Sequence, residues 1–126
     1  MATILVIDDE PFILNNLTML LEFEHFNVLT CTEGKDALEI LAEEPVNLIL
    51  CDMLMYPMNG FEILQAVRQD PNTADIPFVF VTGMRWTASE ARDQGVSAFL
   101  IKPYTRMELL GMVERQLVGN ATRHGN

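Results

Sequence analysis

Four apolar runs in this sequence end on polar residues whose types suit a divalent cation and a phosphoryl group. Thr3-Ile4-Leu5-Val6-Ile7 gives way to Asp8-Asp9, Asn47-Leu48-Ile49-Leu50-Cys51 to Asp52, Phe78-Val79-Phe80-Val81 to Thr82, and Ala98-Phe99-Leu100-Ile101 to Lys102-Pro103. Brought to one place, Asp8, Asp9 and Asp52 repel: two unit charges about 4 Å apart cost roughly 4 kcal/mol at an effective dielectric of 20. Mg²⁺ offsets that repulsion naturally, being a hard cation held by carboxylates and phosphate oxygens. Lys102 then suits the charge on a phosphoryl oxygen, and the hydroxyl of Thr82 suits a hydrogen bond to another. One carboxylate in such a site can also act as nucleophile and form an aspartyl phosphate. Asp52, at the end of the most apolar run, is the best placed.

These residues converge only if the runs are parallel strands of one sheet, whose carboxyl ends share an edge. The sequence alternates accordingly. Residues 3–7 read as β1, and residues 11–24 as α1, with Pro11 suited to the first turn and Leu14, Leu17, Leu20 and Leu21 as its stripe. Then come β2 (27–31), α2 (34–44; Ala37, Leu38 and Leu41 inward), β3 (47–51), α3 (60–70; Phe61, Leu64 and Val67) and β4 (77–81). A weaker α4 (86–94) stops at Gly95, before β5 (97–101) and α5 (105–118), with Met107, Leu110, Val113 and Leu117 at core spacing. Five βα units are too few for an eight-stranded barrel. The expected fold is therefore α/β: an open, doubly wound, flavodoxin-like parallel sheet of order 2-1-3-4-5 with helices on both faces.

The chain of 126 residues is the size of one domain, expected over residues 1–118, with a polar tail, 119–126, that should fray. Its formal charge of −10 argues against nucleic-acid or anionic membrane partners, which need clustered Lys and Arg. No signal peptide opens the chain and no apolar run approaches the roughly 18 residues of a membrane span, so a cytoplasmic protein is expected. Cys31 and Cys51 fall on strands separated by a third, about 10 Å apart and beyond disulfide reach.

The four strand-end motifs together resemble the receiver domain of two-component response regulators, over about residues 2–118. Asp8-Asp9 matches the family's acidic pair, Asp52 its phosphoacceptor, Thr82-Gly83 its switch hydroxyl with a small residue after it, and Lys102-Pro103 its Lys-Pro. The resemblance implies Mg²⁺ held by Asp8 (largely through water), Asp9, Asp52 and the backbone carbonyl of Leu54. It implies Phe99 as a switch aromatic that acts sterically, and a cis Lys102-Pro103 bond. It also implies a histidine kinase or histidine phosphotransfer protein as donor, and a downstream protein partner on the α4-β5-α5 face. Two departures stand out. Tyr56 occupies a slot where the family commonly has proline, with Pro57 one place late. The resemblance places Leu54 and Met84, two residues after Asp52 and Thr82, beside the path of the hydrolytic water; two apolar chains there would not orient a water, so a long-lived acyl phosphate is expected.

Each residue alone has a plainer reading. Asp8-Asp9-Glu10 before Pro11 serves equally as a helix N-cap. Asp52 is a strand-end turn former, Thr82-Gly83 a strand followed by a turn, Lys102 a solvated surface residue and Phe99 a core aromatic. His25 and His124 lie outside every motif, as exposed or capping residues, and Trp86 is half-buried packing or part of an output face. A phosphorylation-switched module, not an enzyme beyond its own phosphorylation and slow dephosphorylation, is the leading reading. A Mg²⁺-dependent phosphohydrolase would need a second acid two residues after Asp52, where Leu54 stands. A flavin carrier would need a Gly/Ser/Thr-rich phosphate cradle after β1, where Asp8-Asp9-Glu10 would repel phosphate. A degenerate receiver is opposed by the intact acids, Thr82 and Lys102.

Overall fold

The computed structural model describes residues 1–84 and 88–124. Its elements are β1 (Thr3–Ile7), α1 (Pro11–Phe23), β2 (Asn27–Cys31), α2 (Gly34–Glu43), β3 (Leu48–Asp52), α3 (Gly60–Gln69), β4 (Phe78–Thr82), α4 (Ala88–Gln94), β5 (Ala98–Ile101) and α5 (Arg106–His124). The strands form one sheet in the order β2-β1-β3-β4-β5, every pairing parallel, as the sequence predicts. Ile7 lies beside both Cys31 and Cys51, so β1 separates the two cysteines, which are free and buried.

Side chains alternate across a strand, and here both sides are apolar. Ile4, Val6, Leu48, Leu50, Val79 and Val81 pack with α1 and α5 residues into one core. Leu5, Ile7, Ile49, Cys51, Phe78 and Phe80 pack with α2 and α3 residues into the other. Burying each such side chain fully contributes about 1.5–3 kcal/mol relative to exposure. Central strands buried on both faces therefore read as unbroken apolar runs.

The helix starts are built by short-range hydrogen bonds. At α3 the Asn59 side chain accepts the Glu62 N–H at 3.0 Å while the Glu62 carboxylate accepts the Asn59 N–H at 2.9 Å. Thr105 and Glu108 form the same reciprocal pair at α5. Such capping boxes satisfy two orphan donors each. Helix α1 instead ends well: His25 takes φ +71°, its N–H donates to Glu22 O at 2.9 Å, and the Phe26 N–H donates to Leu21 O at 3.2 Å. That is a Schellman turn with histidine in the position that favours glycine.

Some expectations change. Met107 is 83% exposed, whereas Val113 is buried and Leu110 and Leu117 pack against the core as expected, with Leu109 and Met112 buried beside them. Apolar residues at 107, 109, 110, 112, 113 and 117 contain two overlapping stripes, and the structure buries the one centred on Leu109 and Val113. Helix α5 continues to His124, past the end at Val118 that the sequence suggested. Strands β3 and β4 each run one residue further, so Asp52 and Thr82 are strand residues. Trp86 lies outside the described residues. The Lys102-Pro103 peptide is cis, as expected, and Tyr56-Pro57 is cis as well.

Candidate functional site

Asp8 and Asp9 follow β1, Asp52 and Thr82 end β3 and β4, and Lys102 follows β5, so the parallel register brings all five to one edge. Asp8, Asp9 and Asp52 each place a carboxylate oxygen within 4.8 Å of the others. Lys102 Nζ lies 4.0 Å from Asp8 Oδ2, at the limit of an ion pair. Backbone contacts hold these ends in register. The Asp8 N–H donates to Cys31 O at 3.2 Å, and the Lys102 N–H donates to Thr82 O at 2.7 Å.

The capping alternative for the acids does not hold. Glu10 is the N-cap of α1 and its side chain makes no cap hydrogen bond; Asp8 Oδ1 accepts the Glu10 N–H at 2.9 Å. Asp8 is 2% exposed and Asp9 is exposed, so the pair points two different ways: one acid into the edge, one to its rim.

The electrostatics of the edge are unbalanced. Burial raises the Asp8 carboxyl above its ordinary value, the Glu10 N–H opposes this, and the Asp52 charge raises it further. Burial likewise raises Asp52, against Lys102 and the N–H groups of Leu54 and Met53, which favour the anion. Three carboxylates face one ammonium, and the two inner ones resist ionisation. That donor set fits a hard divalent cation, which takes oxygen ligands and removes the penalty.

Thr82 is buried, and its Oγ1 accepts the Met84 N–H at 3.1 Å. Leu54 is 72% and Met84 51% exposed, so both apolar chains stand at the mouth of the site. Phe99 is half-buried and stacks on Phe80 at 6.2 Å between ring centroids; Phe80 also meets Phe61 and Phe78.

Two residues escaped the sequence reading. A Cβ on Gly60 would come 2.5 Å from Asp52 O and 2.8 Å from Phe80 Cε1, so only glycine lets α3 begin against the end of β3. Its N–H donates to Met53 O at 3.0 Å. The signal was present in the Asn59-Gly60 helix start. Tyr104, immediately after Lys102-Pro103, is half-buried, and its hydroxyl is raised first by burial and then by the Asp8 charge.

Comparison with known proteins bears on this geometry. Residues 4–114 match the family model of the response regulator receiver domain. The chain is 31% identical to Protein PilH of Pseudomonas aeruginosa over 94% of its own length and 100% of PilH. It is 36% identical, over 65% of its length, to a probable cyclic di-GMP phosphodiesterase of Vibrio cholerae, of which it spans only 18%. The solved structure of the chemotaxis response regulator CheY4 of Vibrio cholerae superposes with a TM-score of 0.86 at 28% identity, covering 93% of this chain and 99% of that one.

Proposed function

The chain belongs to the response regulator receiver domain family, and on that premise we propose that residues 1–118 form a phosphorylation switch with Asp52 as phosphoacceptor. The carrying observation is the convergence of three carboxylate oxygens within 4.8 Å at the strand ends that also present Thr82 and Lys102.

Asp8, Asp9, Asp52 and the backbone carbonyl of Leu54 would hold Mg²⁺. When bound, the ion supplies positive charge that lowers the repulsion between Asp52 and an incoming phosphoryl group. An Asp52 carboxylate oxygen attacks the phosphorus of a phosphohistidine as the P–N bond breaks, and the imidazole leaves with the bonding pair. Lys102 counters the charge on one phosphoryl oxygen. The buried Thr82 hydroxyl donates to another, and the space it vacates is available to Phe99. Catalysis of this kind is mostly positioning and charge stabilisation.

The donor is a histidine kinase or histidine phosphotransfer protein. Phe12, Met19 and Phe23 are large exposed apolar side chains on α1, the helix that begins at the rim of the site, and they suit that docking. The output partner binds the α4-β5-α5 face, where a groove of about 430 Å³ is lined by Phe99, Ile101, Met107, Met112 and Arg115. The exposure of Met107 fits this role. Among the described residues no helix is long and apolar enough to cross a membrane, and a cytoplasmic location accords with the donor class.

Intact mass after incubation with acetyl phosphate and Mg²⁺ tests the reading. The wild type should gain one phosphoryl group and Asp52→Asn none. A folded wild type that gains no mass would refute it.

A further inference from the structure

Helix α1 carries two stripes. Leu14, Leu17 and Leu21 are buried against the sheet. Beside them Phe12, Asn16, Met19 and Phe23 are all exposed, at successive steps of four, three and four residues, the spacing that lines one seam of a helix. Phe12 is 79%, Met19 70% and Phe23 73% exposed. A large aromatic side chain covers about 150–250 Å² when buried, so these three leave roughly 400–500 Å² of apolar surface open, a patch of the size that marks an interaction site.

The stripe has a hole as well as knobs. Met19, Leu20, Phe23 and Arg106 line a recess of about 230 Å³ between the end of α1 and the start of α5. Its polar wall is fixed: Arg106 Nη2 lies 2.6 Å from Glu24 Oε2, and the guanidinium stands 5.1 Å from the centroid of the Phe23 ring. An apolar recess with a cation at its edge suits the face of an aromatic ring. The stripe itself supplies one. Its spacing reads the same in both directions with a phenylalanine at each end, so a two-fold axis midway between Asn16 and Met19 sets Phe12 of each copy against the Phe23 recess of the other. Knob and hole lie on one patch, so the contact closes as a dimer and does not propagate. A parallel pairing would bring together the Asp8, Asp9 and Asp52 clusters of two chains that each carry −10; an antiparallel one separates them by about 20 Å, the length of α1.

We infer that this stripe is a self-association surface: two copies of the chain pair through antiparallel α1 helices. The pairing requires nothing of Asp52. It adds a form of regulation, since a second copy on α1 and a donor on α1 exclude one another. The three apolar chains of both copies bury roughly 800–1,000 Å², short of the about 1,200–2,000 Å² of a standard interface, so the dimer is weak and responds to concentration.

Sedimentation equilibrium of the intact chain in EDTA, without phosphodonor, tests it. The weight-average mass should rise from 14.2 kDa toward twice that value between about 10 µM and 1 mM. Because each copy carries −10, raising NaCl from about 0.05 to 0.5 M should tighten the dimer several-fold; weakening by salt would mean that ion pairs hold it, and overturns the apolar seam. Phe12→Glu should abolish the dimer and Met107→Glu, on α5, should leave it intact; both side chains are exposed, so neither change disturbs the core, and the reverse pattern overturns the assignment. In an equimolar mixture of Asn16→Cys and Met19→Cys, air oxidation should give chiefly the mixed disulfide, whereas an excess of the two symmetric ones would show parallel helices and overturn the pairing. A wild type that stays monomeric at about 1 mM overturns it outright, whatever the variants do, and leaves the stripe to the donor alone.

Discussion

Replacing Asp52 with asparagine should stabilise the protein. The carboxylate oxygens of Asp8, Asp9 and Asp52 lie within 4.8 Å of one another. At that distance a pair repels by roughly 0.9 kcal/mol in water and about 3.5 kcal/mol at an effective dielectric of 20. Asp52 meets one buried and one exposed neighbour, and its attraction to Lys102 is lost in the variant, so the net gain should be about 1–2 kcal/mol at pH 7. Asparagine keeps the shape, and its one amide oxygen can accept an N–H where the carboxylate did. The melting temperature in EDTA should rise by roughly 3–10 °C. The pH dependence follows from sign. Folding raises the Asp52 and Asp8 carboxyls above 3.8, so the folded state holds these protons more tightly and the wild type loses stability as pH rises through the raised values. The advantage of Asp52→Asn should shrink toward zero as pH falls below 3.8. Mg²⁺ at ten times its dissociation constant should return about 1.4 kcal/mol to the wild type and less to the variant. Thermal melts of both proteins, in EDTA and in Mg²⁺, measure all of this. An Asp52→Asn protein no more stable than wild type in EDTA at pH 7 would refute the reasoning.

Leu54→Asn with Met84→Gln should shorten the life of the phosphorylated state by about tenfold or more, because polar side chains at the mouth can orient an attacking water; decay of the phosphorylated mass measures it, and an unchanged half-life contradicts the apolar-mouth account. Gly60→Ala should cost about 1–3 kcal/mol in a denaturant melt and slow phosphoryl uptake, since the new methyl would press on Asp52 O at 2.5 Å. His25→Gly should gain about 0.5–1 kcal/mol by relieving φ +71° at the end of α1, and a loss of stability would show that the histidine side chain contributes more than its backbone strain costs.

The sheet order, the paired cores and the meeting of Asp8, Asp9, Asp52, Thr82 and Lys102 were legible because they depend on strand polarity and period, which an apolar run and its terminal residue encode locally. Met107 differs: α5 carries two overlapping apolar stripes, and which one faces the sheet depends on tertiary packing that the spacing does not encode. Gly60 depends on atoms from β3 and β4, contacts that spacing in the chain cannot reveal. The acids at Asp8 and Asp9 admitted a capping role until the backbone showed that Glu10 stands at the N-cap and caps nothing.

The run of α5 to His124 has a consequence for how such a unit can be combined with others. A parallel strand begins at the edge opposite the acids, and Thr3 opens β1 there, beside an exposed Met1. Helix α5 leaves the acidic edge after Lys102 and, at 19 residues, travels about 28 Å, more than the length of any strand in the sheet. Met1 and the carboxyl end of α5 therefore lie on the same side, away from Asp52. A second protein can be joined at either end, or the unit inserted between two others, without screening the acceptor from its donor, which makes the fold portable as a cassette.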